Sequence, residues 1–135
     1  MKNGLIYLIT TTTQRVLANG IIPLETIARR RGCTCEKNGN GINLTRPGYY
    51  KITGSITFTA PVAGVVTLEA QKNGVDIPGI TASTTVTTAT TEVRTLNISG
   101  IIRVMCGEGE PTITLVNSGV AITLSNVSID VEYLG

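Results

Sequence analysis

Residues 43–58 read NLTRPGYYKITGSITF, and in the second half of that run apolar and polar side chains alternate. Tyr50, Ile52, Ile56 and Phe58 hold even positions, whereas Lys51, Thr53, Ser55 and Thr57 hold odd ones. A period of two marks a strand with one buried and one wet face. A helix is excluded there, because its apolar positions recur every three to four residues. Pro47-Gly48 launches the strand as a turn. The closing run 121–134, AITLSNVSIDVEYL, also alternates, but its phase changes. Val120, Ile122 and Leu124 are even, while Val127, Ile129, Val131 and Tyr133 are odd. A strand cannot switch faces without an extra residue, so Ser125-Asn126 marks a bulge or the true strand start.

The rest of the chain carries the same kind of signal. Strands are expected at 5–12, 21–28, 33–37, 42–44, 49–59, 65–71, 93–105 and 112–117. Pro23 confines the second of these to an edge or a strand start. Arg29, Arg30 and Arg31 with Gly32 read as an exposed turn. Asn73-Gly74, between VTLEAQK and VDIPG, is a two-residue hairpin signal, since both positions must take positive φ. Pro78-Gly79 is expected to close that hairpin, and the Thr-rich 81–91 to be one outward-facing strand plus a loop. Ser99-Gly100 reads as a bend where the long run 93–105 passes from one sheet to the other. No segment has a helical period. The expected fold is an all-β, eight-to-ten-stranded antiparallel jelly-roll sandwich. An immunoglobulin-like sandwich fits less well, because the chain has no tryptophan.

At 135 residues the chain has room for one domain. Threonine occurs 22 times, and charged residues make up 15% of the chain, against about 25% in an average soluble domain. A small monomer normally keeps itself in solution with a mixed charged surface. The shortage is met either by a neutral, hydroxyl-rich surface or by burial of much of the surface between subunits, and the second reading is preferred. The net charge of +2 gives no nucleic-acid footprint. Residues 5–9 are too short for a secretion signal or a membrane span. Three cysteines cannot all pair within one chain, which suggests thiols kept reduced, as in a cytoplasm.

The inventory of reactive groups argues against an enzyme. Histidine is absent, which removes the commonest general base and neutral metal ligand. Asp130 and Glu132 lie two apart on a strand, opposite in phase to Ile129 and Val131, and so point to water or across a subunit contact. Glu108 and Glu110 flank a glycine in a loop before Pro111, a weak candidate for calcium. Cys33 and Cys35 would share one face of a strand, but zinc needs four ligands and only Cys106 remains. No catalytic residue, cofactor or metal site is expected. Arg29, Arg30 and Arg31 form the one charge cluster, either a solvated turn or a contact for an acidic partner surface.

The Pro-Gly-Tyr-Tyr element at 47–50, the Asn73-Gly74 hairpin after LEAQK and the ending SNVSIDVEYL resemble the tumour-necrosis-factor-like jelly roll. The branch concerned is typified by the globular head of the complement q-subcomponent. The resemblance covers residues 41–135, about two-thirds of the chain. It implies a compact homotrimer that binds rather than catalyses, with the last strand near the three-fold axis. Val127, Ile129, Val131 and Tyr133 are then candidates for trimer packing, although periodicity alone leaves core packing equally open. The chain has no collagen-like stalk and few aromatics. In this it is similar to small jelly rolls of tailed bacteriophages that decorate capsids or tip fibres. That likeness implies a virion protein assembled in the host cytoplasm, with residues 33–135 as the jelly roll and 1–32 as a docking arm or edge strands. The alternative is a receptor- or glycan-binding tip whose loops 71–79 and 106–111 face the ligand. Scarce aromatics weigh against sugar stacking.

Overall fold

A computed structural model describes residues 4–135. Among them are twelve strands and no helix. In chain order the strands are β1 Leu5–Thr10, β2 Gln14–Val16, β3 Gly20–Ile21, β4 Thr26–Arg31, β5 Cys35–Asn38 and β6 Gly41–Leu44. They continue with β7 Gly48–Thr59, β8 Gly64–Lys72, β9 Val75–Val86, β10 Arg94–Val104, β11 Thr112–Asn117 and β12 Ile122–Tyr133. Two antiparallel sheets result. Sheet I has the order β10-β7-β12-β1-β4, with β2 also beside β12. Sheet II has the order β5-β6-β11-β8-β9, with β3 also beside β11. Interleaving of early and late strands in both sheets makes this an all-β jelly roll.

The two runs that dominate the sequence are neighbours. Strand β7 pairs with β12 from Tyr50↔Tyr133 to Thr59↔Thr123, and the register shifts between Leu124 and Asn126. The bulge at Ser125 thus reconciles the two phases of the closing run. Ile52, Ile56 and Phe58 face the core with Val127, Ile129 and Val131, and all six are fully buried. Tyr50 and Tyr133 meet at 5.0 Å between ring centroids. Their hydroxyls donate to the carbonyls of Arg46 (2.6 Å) and Pro47 (2.9 Å), so both polar tips are satisfied inside an apolar setting. Gly48 has φ +140°, and a Cβ there would strike the Tyr133 ring at 2.7 Å. The Pro-Gly turn therefore wraps the last aromatic of the chain, which only glycine permits.

The Asn73-Gly74 hairpin is present, with φ of 53° and 82° at its two central residues. Pro78-Gly79 does not close it. Strand β9 runs on through both residues, and the register jumps from Gln71↔Asp76 to Glu69↔Thr81. β9 is the edge strand of sheet II, so the missing N–H of Pro78 is tolerated there. Ser99-Gly100 is not a bend either. β10 pairs with β7 without interruption from Arg94 to Val104 and stays in sheet I. A Cβ on Gly100 would lie 2.5 Å from Ile80, so the glycine makes room for a side chain of the opposite sheet.

Residues 4–32 differ most from expectation. They contribute strands to both sheets. β1 lies inside sheet I between β12 and β4, and Ile6, Leu8, Ile22 and Leu24 are fully buried. The run 21–28 is not one strand. β3 ends at Ile21, and Leu24 instead donates its N–H to Asn40 Oδ1 (3.1 Å). Arg29, Arg30 and Arg31 are strand residues of β4, with the turn beginning at Gly32.

At the far end, buried Asn117 holds the turn between β11 and β12. Its Nδ2 donates to the Val120 carbonyl (2.8 Å), and its Oδ1 accepts from the Gly119 N–H (3.1 Å). A Cβ on Gly119 would lie 2.2 Å from the Val65 carbonyl oxygen, a backbone atom that cannot swing aside. Gly119→Ala is expected to destabilise the protein by about 1–3 kcal/mol, as overpacking does. Urea unfolding checks this, and a midpoint equal to that of the wild type would contradict it.

Candidate functional site: the outward face of sheet I

Antiparallel pairing places partnered residues of neighbouring strands on the same face. Following the registers across sheet I gives rows of outward side chains. One row runs Ile101, Lys51, Glu132, Leu5, Arg31. The next runs Ser99, Thr53, Asp130, Tyr7, Arg29. A third runs Asn97, Ser55, Ser128, Ile9, Thr26. Beyond the first row, the Arg103 guanidinium stacks over the Tyr49 ring at 5.7 Å. The face thus combines a hydroxyl field in its middle with apolar residues at both flanks. Ile101 is 62% and Tyr49 47% exposed, while Leu5, Tyr7 and Ile9 are half-buried. Two of the four tyrosines of the chain therefore stand on this face and two in the core.

Val127, Ile129, Val131 and Tyr133 lie on the other side of β12, in the core between the sheets. In the protomer their role is to join the sheets. A contact made by the last strand with another subunit would use the opposite phase, Ser128, Asp130 and Glu132. Partial desolvation by its neighbours raises the carboxyl of the exposed Asp130 above its usual range, and the neighbouring charge of Glu132 adds to this while Lys51 partly offsets it. Among the described residues neither carboxylate makes a salt bridge.

The arginine triplet does not form one patch. Arg29 and Arg31 pair in register with Tyr7 and Leu5 and face outward. Arg30 takes the alternate phase, and its guanidinium approaches Glu36 of sheet II at 3.7 Å. It clips the two sheets together at their shared edge. Reading the three as a turn hides this separation, because only a strand sends successive side chains to opposite faces.

The other sequence candidates are dispersed. Cys33 is exposed and precedes β5, whereas Cys35 is 1% exposed and opens that strand. They do not share a strand face. Burial pushes the Cys35 thiol up to about 11, so it stays protonated and inert. An aromatic disulfide reagent is expected to label Cys33 and Cys106 in the folded protein and Cys35 only after unfolding. Rapid native labelling of all three would contradict this packing. Glu108 accepts from Lys72 Nζ and from the Met105 N–H, both at 2.8 Å, which hold its carboxyl below the usual range. It closes a loop and is not free for a cation. Among the described residues no group of three or more metal-ligating side chains gathers.

The Lys72–Glu108 contact joins the hairpin loop to the loop before β11. Asn73 adds two bonds to Thr112, its N–H to the carbonyl and its Oδ1 from the N–H, both at 2.9 Å. Beside them a cavity of about 280 Å³ opens between the edge strands β9 and β10. Its walls include Val75, Ile77, Pro78 and Ile102, with Lys72, Asp76 and Arg103 as polar groups. Sequence reasoning placed the two loops but not this recess, which depends on two edges that are distant in sequence. Among the described residues no helix is long and apolar enough to cross a membrane.

No protein-family model and no curated protein sequence matches this chain. Solved structures do. The chain is similar to the vertex protein P5 of PRD1, at 19% identity and TM-score 0.66, over 100% of this chain and 99% of that one. It is similar to the Eiger TNF of S. frugiperda, at 10% identity and TM-score 0.69, over 99% and 92%. It is also similar to the globular domain of the zebrafish complement 1qA protein, at 6% identity and TM-score 0.68, over 97% and 96%. Identities this low speak for the fold and not for a shared activity. The chain has the tumour-necrosis-factor-like jelly-roll fold.

Proposed function

We propose that the protein is a homotrimeric structural component of a tailed-bacteriophage particle, a capsid decoration or head-fibre protein. The observation that carries this reading is the end-to-end likeness to a phage vertex protein, with almost nothing left over on either chain. The outward face of sheet I supports it. A broad face with hydroxyl, apolar and complementary charged groups suits contact with a copy of itself. The protomer assembles through that face and carries no chemistry of its own.

Sedimentation or native mass spectrometry tests the trimer, which is expected near three times 14.2 kDa. Peptide sequencing by mass spectrometry of density-banded particles tests the location. A monomer at every concentration overturns the first statement, and absence of the protein from the banded particles overturns the second.

The cavity between β9 and β10, beside two cross-linked loops, favours a second reading as a receptor- or glycan-binding tip. A trimer that is absent from capsids, occurs in fibre fractions and binds host cells would support it. Replacing Ile77 and Pro78 at the recess should then weaken the binding to cells.

A further inference from the structure

The outward face of sheet I carries two pairs of opposite charges with the same spacing. Asp130 and Glu132 are two residues apart on β12, and Arg29 and Arg31 are two apart on β4. Each pair spans about 6.7 Å along its strand. The registers align them: Arg29 shares a row with Asp130 through Tyr7, and Arg31 shares one with Glu132 through Leu5. Within one chain the two pairs stand two strand spacings apart, about 9.6 Å. All four residues are exposed. Among the described residues none of the four makes a salt bridge. Arg29 reaches only its own neighbour, the Ala28 carbonyl, at 2.7 Å.

We infer that Asp130 and Glu132 of one protomer receive Arg29 and Arg31 of an adjoining copy, so that a band of ion pairs closes the ring of protomers. This rests on the trimer reading above. Its basis is complementarity within a single face. The donor pair lies at the edge of the sheet and the acceptor pair at its centre, so a copy displaced sideways lays one over the other. Such a contact is heterologous, each protomer giving one arginine pair and accepting another, which is what a closed ring of odd number requires. Planar guanidinium groups suit carboxylates in two-point contacts. Exposed ion pairs are worth little in an isolated protomer, so these residues act when a second copy covers them. Lys51 stands beside Glu132 in the same chain. It offsets part of the acidic charge of the pair before assembly.

The test is a charge exchange in the full chain, read as the trimer dissociation constant by sedimentation. Asp130→Arg with Glu132→Arg is expected to weaken the trimer at least ~100-fold, and Arg29→Glu with Arg31→Glu likewise. All four substitutions in one chain restore opposite charges and should return the constant to within about tenfold of the wild type. A four-fold variant no tighter than either half overturns the pairing. Should a reversed variant fail to fold by circular dichroism, Asp130→Asn with Glu132→Gln and Arg29→Gln with Arg31→Gln complete a double-mutant cycle. Strictly additive losses in that cycle overturn the pairing. A wild-type trimer indifferent to every variant overturns this inference alone. A wild-type monomer overturns the trimer reading and this inference with it.

Discussion

A chain lacking residues 1–19 is expected to lose its folded structure rather than merely a docking function. Strand β1 is hydrogen-bonded on both sides, to β12 through six residue pairs and to β4 through five. Its inward residues Ile6 and Leu8 are fully buried, and Val16 on β2 is 5% exposed. Burying side chains of this size is worth about 1.5–3 kcal/mol each. Three of them are a large share of the roughly 5–15 kcal/mol that holds a domain together. The truncation would also strand β4 and leave a long stretch of β12 as an open edge, which invites pairing between chains. Buried Thr10 would go as well, and with it the bonds from its hydroxyl to the Pro23 carbonyl (2.7 Å) and from the Glu25 N–H to its oxygen (3.1 Å). Circular dichroism with a thermal melt, together with sedimentation, should show an aggregated or unfolded chain. A truncated protein that melts with the wild type would overturn this account and restore the segment as an appendage.

Why this segment reads poorly in the sequence, while residues 47–59 read well, has a physical explanation. Strand β7 is apolar on one side and polar on the other, so its period is visible. The hairpin is equally visible, because Asn-Gly names a backbone conformation directly. The sequence of β1, LIYLIT, is apolar in both phases: Ile6 and Leu8 point inward, and Leu5, Tyr7 and Ile9 outward. With no alternation, nothing in the sequence separates a core strand from a sticky arm. In the fold the doubled apolarity matches a strand whose outer side is half-buried. The arginines mislead in a different way. Three charges in a row suggest solvent on all sides, yet an edge strand accommodates them by sending Arg30 toward Glu36 and its neighbours the other way. At Gly100 the local sequence suggests a bend, and the cause is distant. Ile80 of the opposite sheet occupies the space of the absent side chain. Such tertiary reasons leave no local pattern.

The closing strand offers the sharpest contrast between packing and association, since neighbouring residues of one strand serve the two separately. Ile129→Ala removes most of a fully buried side chain from the junction of the sheets and is expected to cost about 2–5 kcal/mol through lost burial and the cavity left behind. The loss belongs to the protomer, so the denaturation midpoint should fall by a similar amount at every protein concentration. Tyr7→Ala acts on the outward face of the adjoining strand, in the row of Asp130. It leaves the core intact and should chiefly weaken assembly, which appears as a lower mean mass on dilution and a steeper dependence of the midpoint on concentration. Sequence periodicity leaves open whether Ile129 and its odd-numbered companions serve the core or the trimer. Burial assigns them to the core, and the pair of variants checks that assignment in solution. If Ile129→Ala dissociated the trimer while leaving protomer stability unchanged, the inward phase of β12 would have to be the subunit contact, and the two-sheet packing described above would be wrong.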